Sequence, residues 1–116
     1  MSFRSIIRFQ VKPGMAAEFE AAFSECRMLD RPSAIDGFVM AELVRSVVEP
    51  LEYHVIGEWE TEQAYADWQA VSHEQADPAA VEALHATLLH WAPGRLYVSA
   101  ARSGDGNAAS RSAGSD

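Results

Sequence analysis

The hydrophobic period of this chain changes at Pro13-Gly14, and that change limits the possible folds more than any other feature. From Phe3 to Val11 the period is two. Phe3, Ser5, Ile7, Phe9 and Val11 fall on one side, and Arg4, Ile6, Arg8 and Gln10 on the other. Alternation with one apolar face describes a half-buried strand. Pro13-Gly14 breaks the strand. Across residues 15–28, Met15, Phe19, Ala22, Phe23 and Cys26 recur at steps of three and four while Glu18, Glu20 and Glu25 point elsewhere, which describes an amphipathic helix.

The same reading carries through the chain. Asp-Arg-Pro-Ser and Ile-Asp-Gly make residues 29–36 a loop. Residues 37–46 form a strand of weaker alternation, Glu49-Pro50 a turn, and residues 52–60 a strand with Tyr53, Val55, Gly57 and Trp59 on one face. Thr61 is placed to cap a helix over residues 61–71, with Ala64, Tyr65, Trp68 and Val71 on its stripe. Asp77-Pro78 signals a further helix start, and residues 78–91 carry Val81, Leu84, Leu88 and Trp91 on one face. Pro93-Gly94 ends that helix, and residues 95–101 form a last strand. The β-α-β-β-α-β order predicts an α+β, ferredoxin-like domain over residues 1–101, with a four-stranded antiparallel sheet and helices on one face. Residues 102–116 are rich in Gly, Ser and Ala without any period, which predicts a disordered tail.

Charge and motifs narrow the function. With 17 acidic and 9 basic residues the net charge is -8, which argues against nucleic acid or an anionic membrane as partner. The alternating, charged N-terminus lacks the apolar core of a signal peptide, so the cytoplasm is the expected location. Cys26 is the single cysteine, and its helical setting suggests a small buried apolar residue. No dinucleotide fingerprint or phosphate loop is present. The four histidines show no zincin-type spacing, so neither a metal nor a cofactor is expected.

Several local features then add up. Lys12-Pro13-Gly14 closes the first strand, and Glu18-Phe19 and Phe23 follow on the helix. Asp36-Gly37-Phe38 starts the hairpin, and Glu58-Trp59-Glu60-Thr61-Glu62-Gln63-Ala64-Tyr65 runs into Trp68. Over roughly residues 3–100 the chain resembles the antibiotic biosynthesis monooxygenase (ABM) family. The resemblance implies a homodimer that forms a dimeric α/β barrel, each subunit keeping a pocket between sheet and helices. The activity it implies first is cofactor-independent oxidation of an anthrone-type aromatic polyketide by O2; the alternatives are cyclisation or isomerisation of a small carbonyl compound or binding alone, with haem degradation behind them. Members that degrade haem have an asparagine on the first strand and an axial histidine further along. Those positions correspond here to Ile7 and to the neighbourhood of Asp77-Pro78, so only the helical tryptophan, Trp68, is retained.

The candidate site follows from both lines of reasoning. Trp68 matches the helical tryptophan that family members place at their pocket; as a residue on an apolar stripe it is also simple core. His73, just beyond the helix, is a candidate base, because an imidazole titrates near neutrality; the alternative is an exposed loop histidine. Tyr53 faces the helices as a packed residue or as a donor to substrate. Ile7 and Phe9 on the core face of the first strand are candidate substrate contacts, and His85 borders the stripe of the last helix. Trp59 reads as structural, and Arg95 as a rim residue. On the opposite sheet face, Arg4 and Arg8 are placed to pair with Glu58 or Glu60.

Overall fold

The computed structural model describes residues 2–72, 74 and 76–104. The candidate base His73, and residues 105–116 of the expected tail, lie outside the described residues. The elements in chain order are β1 (Phe3–Val11), α1 (Ala16–Glu25), a short 3-10 turn (Arg31–Ala34), β2 (Phe38–Arg45), β3 (Glu52–Trp59), α2 (Glu62–Ser72), α3 (Pro78–Ala86), β4 (Leu88–Trp91) and β5 (Arg95–Val98). This is the expected α+β, ferredoxin-like arrangement. The antiparallel sheet runs β2-β3-β1-β4, with β5 also paired to β1. No helix among the described residues is long and apolar enough to cross a membrane.

The register explains the sequence pattern. Phe3, Ser5, Ile7 and Phe9 of β1 sit opposite Trp59, Gly57, Val55 and Tyr53 of β3, so one face of the central pair carries the core side chains. The weak alternation of β2 comes from an irregularity between Phe38 and Met40. The extra residue there restarts the alternation, so that Phe38 pairs with Trp59 and Ala41 with Gly57. On the other face, Arg4 meets Glu58 at 3.7 Å and Arg8 meets Glu52 at 3.4 Å. Arg102 also reaches Glu58, at 3.3 Å, so the first residue of the expected tail lies against the sheet.

The helix ends have local causes. The backbone N–H of Ala64 donates to Thr61 Oγ1 at 3.0 Å, so Thr61 caps α2 as expected. Asp77 makes no side-chain cap bond, and the start of α3 rests on Pro78. Arg27, at φ 53°, ends α1 before residue 28.

The main departure is the last helix, which stops at Ala86 instead of running to Trp91. Thr87 closes α3 by donating its backbone N–H and its hydroxyl to the Leu84 carbonyl. The chain then turns to pair with β1, placing Leu88 opposite Val11 and Trp91 opposite Phe9. Unpaired N–H and C=O groups on the edge of β1 are better satisfied by this ladder than by continued helix. The fourth strand position is therefore filled in two pieces, β4 beside Phe9–Val11 and β5 beside Phe3–Ile6.

Candidate functional site

The break between those two pieces opens the molecule beside Ile7. Ala92 still donates its N–H to the Arg8 carbonyl at 3.2 Å, but Pro93 has no N–H to give. Gly94 follows, where a Cβ would lie 2.5 Å from the Tyr65 hydroxyl oxygen and 3.0 Å from Ile7 Cγ1. Only a glycine lets the chain come this close to α2.

The sheet beneath is also short of side-chain volume. Ser5, Gly57 and Ala41 form one cross-strand row on the face that meets the helices. A Cβ at Gly57 would come within 2.7 Å of Ser5 Oγ and 2.9 Å of Trp59 Nε1. The Trp59 indole N–H donates to Ser5 Oγ at 3.0 Å, which satisfies both buried groups and keeps the row flat.

Above this row lies a cavity of about 310 Å³. That volume is at the small end of the roughly 300–1,000 Å³ of small-molecule sites. Ile7, Phe9, Val55 and Gly57 supply the sheet wall, and Tyr65, Trp68 and Gln69 the α2 wall. His85 and Trp91 stack with ring centroids 4.6 Å apart and planes 14° off parallel. A more open depression, lined also by Pro78 and Glu82, shares His85, Val81 and Ala76 with the cavity.

The polar groups on the wall are few. Gln69 Nε2 donates to the Tyr65 hydroxyl oxygen at 3.3 Å, which leaves the tyrosine O–H able to donate elsewhere. Burial pushes the Tyr65 hydroxyl above its usual value, so it stays protonated at neutral pH. Burial likewise raises the Cys26 thiol, which fits an apolar wall residue rather than a nucleophile. The Arg31 guanidinium carbon sits 5.1 Å above the centre of the Trp68 ring.

The structure brings together Ile7, Phe9, Trp68 and His85 around this cavity. Tyr53 lies elsewhere. It is almost completely buried against Phe19, and its hydroxyl donates to Glu20 Oε2 at 2.6 Å. Tyr53 is not among the cavity-lining residues.

Arg31, Tyr65 and Gln69 were not legible as wall residues. Tyr65 reads as stripe and Arg31 as part of a loop, and nothing in the sequence pattern singles out Gln69. The small residues Ser5 and Gly57 on otherwise apolar strand faces were the available signal, since two gaps directly across a ladder predict a hollow.

The family model for antibiotic biosynthesis monooxygenases matches residues 2–76, and the chain belongs to that family. Among solved structures it is similar to SnoaB, a cofactor-independent oxygenase from Streptomyces nogalater. The identity is 23% and the TM-score 0.63, over 87% of this chain and 95% of that one. It is similar to a dimeric ferredoxin-like protein from an uncultured marine organism, with 14% identity, TM-score 0.65, and 88% and 93% of the two chains covered. Rv0793 from Mycobacterium tuberculosis is 15% identical with a TM-score of 0.64, over 90% of this chain and all of that one. No curated protein matches the sequence.

Proposed function

We propose that the protein is a cofactor-independent monooxygenase that oxidises a planar, anthrone-type aromatic with O2, working as a homodimer. The observation that carries this reading is the hollow of about 310 Å³ lined by the Ser5–Gly57–Ala41 row and the rings of Trp68 and Tyr65. Its mainly apolar, ring-lined wall suits an aromatic better than a sugar or a phosphate. Family membership and the fold shared with a cofactor-independent oxygenase support the same reading.

The chemistry asks for orientation and donors rather than a redox group on the protein. The substrate methylene loses a proton to give an electron-rich enolate, which passes an electron to O2. The radical pair joins through a new C–O bond, the peroxide anion takes back a proton, and the hydroperoxide then loses water. One oxygen atom ends in the quinone carbonyl and one in water. Trp68 supplies a stacking surface and an N–H, the Tyr65 O–H is a second donor, and Ile7 and Phe9 hold the ring system from the sheet side. His85, which lines both the cavity and the adjoining depression, is the proposed acceptor of the departing proton.

The test is oxygen uptake by the metal-free protein with a simple anthrone. Uptake with quinone as product is expected, reduced by about tenfold or more in Trp68→Phe, in the range of one lost transition-state donor. Uptake no faster than spontaneous autoxidation across a panel of anthrones would overturn the reading.

The homodimer has its own support and its own test. On the face away from the helices, Ile6 lies directly opposite Ile56, with ion pairs around them. Tyr97, half exposed, sits opposite Arg4. Light scattering is expected to give twice the chain mass; a monomer at micromolar concentration would sink the paired-sheet arrangement.

A further inference from the structure

The chain carries 17 acidic residues, yet none of the residues lining the cavity is Asp or Glu among those described. Among the described residues, the only permanently charged group on that wall is Arg31. Of the other described arginines, all but Arg95, which does not line the cavity, find carboxylates. Arg4 and Arg102 meet Glu58, Arg8 meets Glu52, Arg27 meets Asp30 and Arg45 meets Glu20. Arg31 has no such partner among the described residues.

It is held instead by neutral acceptors. Nε donates to the Cys26 carbonyl at 3.2 Å, one terminal nitrogen to the Ser72 carbonyl at 3.0 Å, and the other to Met28 Sδ at 3.3 Å. A guanidinium offers five N–H donors, so two have no acceptor among the described residues. Carbonyl partners fix the group in place but do not neutralise it. A half-buried cation beside an apolar cavity attracts an anion more strongly than it would in water.

We propose that Arg31 is the oxyanion-recognising group of this cavity, and that the substrate binds as a phenolate or enolate with its oxygen on the guanidinium. This rests on the reading of the cavity as an aromatic-substrate site. A single cation, with an otherwise mainly apolar wall, fits one ring-borne oxygen rather than a phosphate, which draws on several donors. Stacking of Arg31 over Trp68 brings charge and ring surface together at one end of the cavity. A phenol loses its O–H proton to the buffer on binding, whereas an anthrone loses its methylene proton to His85; in either case the resulting oxyanion pairs with Arg31. Among the described residues, the other titratable groups on the wall are Cys26, Tyr65 and His85, Glu82 lines the adjoining depression, and Glu25 and Asp77 act on the Cys26 thiol from outside the lining. Cys26 and Tyr65 are both held in their neutral forms by burial and do not compete for the cation.

The probe is alizarin, a planar dihydroxyanthraquinone whose colour reports its ionisation, titrated free and bound in chelator-treated buffer. Binding to the wild-type protein is expected to lower the dye's ionisation midpoint by about one pH unit or more, which is a tenfold preference for the anion. Arg31→Met is expected to bring the midpoint back to or above the free value, because an apolar cavity disfavours charge. Arg31→Lys is expected to keep part of the lowering, and it decides the matter with the wild type if Arg31→Met does not fold. Saturable binding with a midpoint unmoved or raised in the wild type, or a lowering that survives in Arg31→Met, overturns the assignment while the aromatic-site reading stands. If neither alizarin nor neutral anthraquinone saturates the protein, the aromatic-site reading fails and the assignment fails with it.

Discussion

The two ends of the β1–β3 pair are built on the same alternation and reach opposite results. At one end Phe9 faces Tyr53 across the ladder, and Phe19 and Phe23 of α1 close over them. Ring centroids there lie 4.6 to 6.3 Å apart, and the space is filled. At the other end Ser5 faces Gly57 and Ala41, and the rings of Trp59, Tyr65 and Trp68 stand around a hollow. The β1–β3 ladder is shared, so side-chain volume, together with the break in the edge strand at Pro93-Gly94, separates the filled half from the half that holds the cavity. Dense packing makes a missing side chain costly. The hollow is therefore affordable only because its neighbour is full.

The largest break in this comparison is Phe19→Ala in the filled half. Phe19 is fully buried, and its truncation is expected to cost about 3–5 kcal/mol in denaturant unfolding. A loss under about 1 kcal/mol would mean that the filled half is not the main source of stability.

Gly94→Ala comes next and acts on the hollow half. The added Cβ meets the Tyr65 hydroxyl and Ile7, so a loss of about 1–3 kcal/mol together with weakened dye binding is expected. Unchanged binding by the variant would show that the strand break does not shape the cavity.

The smallest effect is expected from Tyr53→Phe, which removes the hydroxyl bond to Glu20 at a cost of about 0.5–1.5 kcal/mol. Alizarin binding should be unchanged, and a lost dye signal would draw Tyr53 back into the site. Burial, followed by the Glu20 bond, raises the folded pKa of Tyr53, and burial raises that of Tyr65. A raised folded value means that this contribution to stability is complete below the unfolded tyrosine value of about 10 and is lost as pH climbs through the folded values. Wild-type stability should therefore fall in that alkaline window, less steeply in Tyr53→Phe; equal slopes would show that Tyr53 ionises alike in both states.

Much of this molecule was legible along the chain. Period two in β1 and β3, the three-and-four spacing in α1 and α2, the Thr61 cap and the Pro13-Gly14 break all record which side of a local backbone is dry. The stretch 88–91 was not legible, because Leu88 and Trp91 fit the helical stripe as well as they fit a strand. Four residues are too few for the two periods to diverge, and the open edge of β1 decided between them.

What the sequence by itself determined is the order of elements, the core faces, and Ile7, Phe9, Trp68 and His85 as side chains directed inward or bordering that face. What only the tertiary structure decided is which of them meet. The register set Ser5 beside Gly57, and the broken edge brought Gly94 under Tyr65. Arg31 was docked on carbonyls of Cys26 and Ser72. Those contacts use backbone groups that every residue carries, so no side-chain pattern announces them. Periodicity reports burial within a segment, whereas a site depends on distances between segments, and these are settled only when the chain packs.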